Sequence, residues 1–324
     1  MRNGFAGAAT AMFCVGTLAG VSGLVKDYPV YGGQAVRYLL AAAVLLAVTR
    51  TLGLRFVRLR PREWLLLGAL ALIGLAIFNV CVVESARAAG PVLVGTVLGT
   101  VPLALALAGG RPAPRLLVGA TVVVAGATLA TGLGSGNLPG LLWALGALVG
   151  EVAFSLLALP LLPKLGAIRV STYSTVLAAP ILAGIGLVKE GTAMLRVPTL
   201  AEVLGFAYLA VVVTVVAFLL WYTSLPKLGP GRAGLFAGLI PVGAMVTGLV
   251  LGIATPSAYD VLGAALVIAG ILVGLGATRR RPDGPHITDQ AAERAHVTAP
   301  GPVNPGTVPL DRARPRTEAG PSRA

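Results

Sequence analysis

The amino-acid sequence predicts an all-α integral membrane protein of ten transmembrane helices, arranged as two inverted five-helix repeats. Three observations lead to this prediction. Of the 324 residues, 56% are hydrophobic and 11% are charged, whereas a soluble domain has about 25% charged residues. Ten apolar runs come near the length of about 20 residues that crosses a bilayer as a helix. A pattern of glycines and prolines in the first half recurs in the second half.

The apolar runs define the predicted spanning segments. They are continuous and lack the alternation of polar and apolar residues that a membrane β-barrel needs, so each is predicted to be a helix. The mean hydropathy of +0.88 agrees with this interpretation. In chain order the ten segments cover 5–24, 33–50, 64–83, 91–109, 116–133, 138–159, 169–188, 203–223, 233–252 and 258–277.

The distribution of lysine and arginine predicts the orientation. If the N-terminus lies inside, the inner segments near the membrane hold 15 basic residues and the outer loops hold 4. Because cytoplasmic loops are enriched in basic residues, both termini are predicted to be cytoplasmic. The same enrichment, together with a polar tail, accounts for the net charge of +13, so no nucleic-acid partner is expected.

The internal repeat appears at an offset of 139 residues, where Ser85 also corresponds to Ser224. Five helices is an odd number, so a second copy enters the membrane from the opposite side, as in many secondary transporters. Glycine-rich helices can resemble one another by composition alone, but the aligned prolines favour a duplication. The predicted repeats are residues 1–134 and 135–277. The matched positions are Gly90, Pro91, Gly95, Gly99 and Pro102 with Gly229, Pro230, Gly234, Gly238 and Pro241.

Residues 278–324 form a separate predicted region. Eight of these 47 residues are proline and no apolar periodicity is visible. Such a segment buries too little apolar surface to offset the entropy of ordering. It is predicted to be a disordered cytoplasmic tail, either dispensable or used for docking.

The sequence also resembles a known family, the EamA-type ten-helix branch of the drug/metabolite transporter superfamily. The resemblance rests on the ten segments, the duplicated unit, Arg37-Tyr38 in the second segment and the stretch Leu225-Pro-Lys-Leu-Gly-Pro230. It covers about residues 5–277. The resemblance implies substrates such as amino acids, other metabolites, nucleotide sugars or drugs. It also implies a secondary active exporter in the bacterial cytoplasmic membrane.

Charged residues inside spanning segments are the first candidates for a site, because burying a charge in lipid is costly. Arg37 and Glu84 lie near the predicted outer ends of their segments, where long side chains can also snorkel to the headgroups. They could instead pair with each other as an outer gate. Glu151 lies about 20 Å into its segment. No lysine or arginine lies within a turn of it on that segment, so its ionised form is costly there.

Aromatic and amide residues add further candidates for a substrate cavity. Interfacial anchoring is the alternative for Trp221 and Tyr222, and a bond between helices is the alternative for Asn79. Glu151 is interpreted as a proton or cationic-substrate site, with a protonated structural glutamate as the alternative. The full candidate set is Glu151, Arg37, Asn79, Tyr38, Trp143, Tyr173, Glu84 and Trp221, with Tyr208 and Tyr222 as further aromatic residues.

Enzyme signatures do not occur in the sequence. The two histidines, His286 and His296, both lie in the tail, and there is neither an HExxH motif nor a P-loop. No enzyme activity, metal or cofactor is therefore expected. The expected partners are a small-molecule substrate, protons and the bilayer, and a homodimer is one alternative for the assembly. A flippase for a lipid-linked carrier and a non-transporting scaffold are the rival interpretations.

The orientation generates the first prediction. In a variant without native cysteines, Arg58→Cys should resist a membrane-impermeant maleimide in intact cells and react after permeabilisation, because the 50–62 loop is predicted to be cytoplasmic. Lys26→Cys, in a predicted outer loop, is the matched control and should react in intact cells. Labelling of Arg58→Cys from outside would show that the orientation is wrong.

Overall fold

In a computed structural model, residues 2–89, 91–131, 137–252 and 257–276 are described, and this part of the chain is helical with no strands. Gly90 and the predicted tail lie outside the described residues. We number the helices α1 to α10 in chain order. Their bounds are Asn3–Val25, Val30–Thr51, Pro61–Ala89, Leu93–Ala108, Pro114–Leu129, Leu138–Ala158, Leu162–Met194, Leu200–Leu228, Pro230–Val250 and Ala258–Gly276.

Eight of the helices in the described ranges are long and apolar enough to cross a membrane. The two others, α4 and α5, are apolar but shorter. The structure therefore agrees with an integral membrane α-protein. The count of ten spanning helices stays a prediction.

The ends of some helices differ from the predicted segments because hydropathy detects only the apolar part of a helix. Helix α7 begins at Leu162, before the predicted start at 169, and Gly166 interrupts its first turns with a φ of 71°. Helix α8 begins at Leu200, where Thr199 and Glu202 form a capping box. Capping residues are polar, so they fall outside an apolar run.

Helices α3 and α8 have the same construction. Both contain 29 residues, and both change to π-helical hydrogen bonding for eight residues, at Leu70–Ile77 and at Leu209–Val216. The two π-helical segments are 139 residues apart, which is the offset of the glycine and proline pattern. Since π-helical turns are rare and often occur at functional sites, this recurrence supports a duplication. The inversion of the second copy stays a prediction.

Equivalent helices of the two halves make equivalent contacts. Helix α1 packs against α8 and α9, and its equivalent in the second half, α6, packs against α3 and α4. Helices α2 and α7, α4 and α9, and α5 and α10 pack against their own equivalents. Each half thus completes its contacts with the other half, so the bundle has one interior shared by both.

Small residues allow this packing. A Cβ atom on Gly16 of α1 would lie 2.2 Å from the carbonyl oxygen of Ile240 in α9, and one on Gly119 of α5 would lie 2.5 Å from Cα of Gly274 in α10. Both distances are far below van der Waals contact. Glycine therefore brings these helices together backbone to backbone, as in many membrane bundles.

Candidate functional site

A cavity of about 340 Å³ lies between α1, α2, α3, α4, α6, α8 and α9. Its wall includes the second half of α1, the first half of α2 and the second half of α3. Because successive helices run in opposite directions, these parts lie at one end of the bundle, the end that carries the α1–α2 loop. The lining is mostly apolar, with a few polar side chains from different helices: Gln34, Arg37, Tyr38, Asn79, Glu151 and Trp221.

Arg37 is the buried cation of this cavity. Its side chain is 6% exposed, Nε donates a hydrogen bond to Thr214 Oγ1 at 2.9 Å, and its guanidinium carbon lies 5.5 Å from the centre of the Tyr38 ring. Among the described residues no carboxylate forms an ion pair with it. A cation held by a hydroxyl and an aromatic ring remains electrostatically unpaired, and it lies in the cavity wall.

The π-helical segments position the groups that hold Arg37 and Tyr38. Thr214 lies inside the π-helical turn of α8 and donates to Leu209 O, five residues earlier, at 3.0 Å. Asn79 follows the π-helical turn of α3, and its Nδ2 donates to Leu75 O at 2.7 Å and to Tyr38 OH at 3.1 Å. One helix, α2, is therefore tied to both π-helical segments.

Glu151 is the carboxylate of the cavity. It lies on α6 on a face whose other members, Ala144, Ala147, Ser155 and Ala158, are fully buried. No described residue gives it a hydrogen bond or an ion pair. Tyr38 and Tyr222 lie within electrostatic range of it. The Glu151 side chain lines the cavity, so a ligand or a proton that enters the cavity can reach it.

Aromatic side chains form the end of the cavity that is farther from the α1–α2 loop. Trp221 Nε1 donates to Ser155 Oγ at 3.2 Å, and the Phe154 ring lies 4.8 Å from Phe218 and 4.9 Å from Tyr222. Trp221 and Tyr222 are 2% and 1% exposed. They are therefore interior residues of α8, and the alternative of an interfacial belt is wrong.

Gln34 is a cavity residue that is absent from the predicted set. Its Oε1 atom is buried and accepts no hydrogen bond from any described group, while its side chain lines the cavity one turn before Arg37. A buried acceptor without a donor is costly, so it fits a ligand that carries a donor. The spacing 34, 37, 38 on one helix face is the signal that could have identified it.

Three predicted site residues lie elsewhere. Trp143 is 40% exposed on the outside of α6. Tyr173 stacks on Phe56 with ring centres 5.9 Å apart. Glu84 accepts hydrogen bonds from Tyr31 and from Lys189. The hypothesis of an Arg37–Glu84 gate is not supported by these contacts, because the two side chains have different partners.

The comparisons with known proteins agree with the sequence. Residues 138–275 match the EamA-like transporter family. YetK of Bacillus subtilis (strain 168), described as an uncharacterised transporter, is 26% identical over 288 residues, which are 85% of this chain and 87% of YetK. YyaM of the same organism, also described as an uncharacterised transporter, is 33% identical over 76 residues, 23% of this chain and 24% of its own.

A solved crystal structure matches the fold with a TM-score of 0.77, covering 86% of this chain and 99% of that chain at 22% identity. At that identity it shows the fold alone. The family match over residues 138–275 and the similarity to YetK confirm the resemblance that the sequence indicated to the EamA-type branch of the drug/metabolite transporter superfamily. Both comparisons are with membrane transporters.

The contact between Arg37 and Thr214 generates the second prediction. Thr214→Val keeps the shape of the side chain but removes the oxygen that accepts from Arg37 Nε, so it should destabilise the protein by about 1–3 kcal/mol. Thr223→Val, on an exposed position of the same helix, is the matched control and should change stability little. Thermal unfolding of the purified variants in detergent measures both, and equal midpoints would contradict the role given to Thr214.

Proposed function

We propose that this transporter carries a small metabolite with an anionic and a cationic group, an amino acid or a related compound, by secondary active transport. The cavity described above is its substrate site. The observation that carries this proposal is the presence of Arg37 and Glu151 in one cavity wall, each without a partner of opposite charge among the described residues.

A charge inside a membrane protein is expensive unless it is paired, and ionisable groups there usually mark substrate or ion pathways. Arg37 presents a guanidinium suited to a carboxylate, which it can bind through two parallel hydrogen bonds. Glu151 presents a carboxylate suited to an ammonium group or a proton. A zwitterionic ligand would satisfy both groups at once.

The size and lining of the cavity agree with such a ligand. Pockets for small molecules start at about 300 Å³ and are largely apolar with a few convergent polar groups. Here the volume is about 340 Å³, and Met12, Phe78 and Val82 contribute apolar surface. This surface suits an apolar side chain or body of the substrate, and Gln34 Oε1 supplies an acceptor for one of its N–H donors.

The similarity between the two halves of the chain supports alternating access as the transport mechanism. Trp221 lines one end of the cavity and Tyr222 packs behind that end against Phe154, whereas the residues 139 positions earlier, Val82 and Val83, line the cavity wall. If the two halves exchange conformations, as inverted repeats allow, Val82 and Val83 close the opposite end and the aromatic residues separate. The present conformation then faces the predicted outer side.

Proton coupling and export complete the proposal. Glu151 can bind a proton when the substrate's cationic group is absent. The proton and the substrate therefore use the same carboxylate, which couples their transport. The resemblance to the family favours export. The rival interpretation of a non-transporting scaffold gives no reason for unpaired charges in an internal cavity.

Glu151 provides the third prediction. Glu151→Gln preserves the shape of the side chain but removes its titration, so transport of the substrate in inside-out vesicles should lose its dependence on a pH gradient. An amino acid and metabolite panel supplies the substrates, and expression should remain normal.

Asp260→Asn is the matched control for this experiment. Asp260 lies at the start of α10, outside the cavity wall, and caps the helix through Ser257 N. Its amide variant should keep the pH-gradient dependence of the wild type. An unchanged rate and an unchanged dependence in Glu151→Gln would show that Glu151 is structural and that the coupling proposal fails.

A further inference from the structure

Residues 50–65, which join α2 to α3, carry an unusual density of exposed cations. Arg50, Arg55, Arg58, Arg60 and Arg62 are all exposed. The segment leaves one apolar helix and enters the next, so it lies at the level where the hydrocarbon core gives way to lipid headgroups.

Helix α7 holds this segment by its backbone. Arg169 Nε donates to Arg55 O at 3.1 Å and Lys164 Nζ donates to Arg58 O at 3.2 Å. Val57 N donates to Tyr173 OH at 3.3 Å. These contacts fix the path of the main chain and do not involve the guanidinium groups of the segment.

Among the described residues, no carboxylate forms an ion pair with the arginines of this segment. Its acidic residue, Glu63, is bound by Lys164 Nζ at 2.6 Å and by Arg60 N at 2.7 Å. Within the described part of the chain, none of the five guanidinium groups forms an ion pair. The segment therefore presents several positive charges that are not ion-paired within the described part of the chain.

Apolar side chains stand among these cations. Phe56 and Leu65 are each 73% exposed and Trp64 is 53% exposed. Tryptophan and phenylalanine next to basic residues are typical of segments that lie in the membrane interface. The apolar groups would enter the acyl boundary while the guanidinium groups remain at the level of the phosphates.

We propose that residues 50–65 form a binding surface for anionic phospholipid headgroups of the adjoining leaflet. The guanidinium groups bind phosphate oxygens through paired N–H donors, and Phe56, Trp64 and Leu65 insert beside the acyl chains. Because α7 holds the segment, bound lipid would fix the connection between α2, which carries Arg37, and α7. This surface is separate from the substrate cavity and does not depend on the proposed function.

Native mass spectrometry of the full chain tests the proposal, with phosphatidylglycerol and phosphatidylcholine added in equal amounts. Each basic residue near an anionic surface strengthens binding about fivefold. Phosphatidylglycerol should therefore be retained preferentially, and the double variant Arg55→Gln/Arg58→Gln should bind it about 25-fold more weakly. Arg55→Lys/Arg58→Lys keeps the charge and should retain most of the binding.

The matched control is Arg111→Gln/Arg115→Gln, which removes two exposed arginines on the same predicted side of the membrane. It should bind phosphatidylglycerol as the wild type does. An equal loss in this variant, or equal retention of the two lipids by the wild type, would overturn the proposal. Displacement of the lipid by excess inorganic phosphate would show that free phosphate is the occupant, which also contradicts it.

A second readout uses Trp64 as a local fluorescence probe in a Trp143→Phe background. The other remaining tryptophan, Trp221, is 2% exposed and is therefore shielded from quenchers in the lipid. Brominated phosphatidylglycerol in phosphatidylcholine vesicles should quench Trp64 more strongly than brominated phosphatidylcholine. High salt should remove the difference because it screens exposed charges. Equal quenching by both lipids at low salt would contradict a headgroup-specific surface.

Discussion

The burial of Arg37 is the constraint on which the interior of this protein depends. A guanidinium group with 6% exposure in a membrane bundle requires hydrogen-bond acceptors, and the apolar helices around it offer few. The structure supplies Thr214 from one half and the Tyr38 ring from Arg37's own helix. These groups hold the cation without neutralising it, so it remains able to attract an anion.

The π-helical segments make this arrangement possible. An extra residue per turn misaligns backbone carbonyls, and Thr214 and Asn79 use their side chains to satisfy Leu209 O and Leu75 O. The same polar atoms then contact Arg37 and Tyr38. Local helix distortion in both halves thus becomes the support for one cavity. Movement of either half would therefore change the contacts of α2.

Much of this organisation could be predicted from the sequence, and the limits have physical causes. Arg37 and Glu151 could be identified because a charge in an apolar run stands out, and Gly99, Gly238 and Pro241 indicated the repeat. Trp143 could not be distinguished from a cavity residue, because a membrane helix is apolar on every side and its sequence does not show which face meets lipid. The start of α7 escaped detection for a different reason, because Pro163, Lys164 and Gly166 interrupt the apolar run there.

Binding of one ligand to both charges, Arg37 and Glu151, can be tested by a binding experiment with three related probes. The probes are phenylalanine, phenylpropionate without the amine, and phenethylamine without the carboxylate. Thermal stabilisation of the wild type, Arg37→Gln and Glu151→Gln by each probe is measured.

Phenylalanine should lose affinity in both variants, by about 10-fold or more for each lost charge-assisted contact. Phenylpropionate should lose affinity only in Arg37→Gln, and phenethylamine only in Glu151→Gln. Stabilisation that is equal in the wild type and both variants, or absent for all three probes, would contradict a zwitterion held between Arg37 and Glu151.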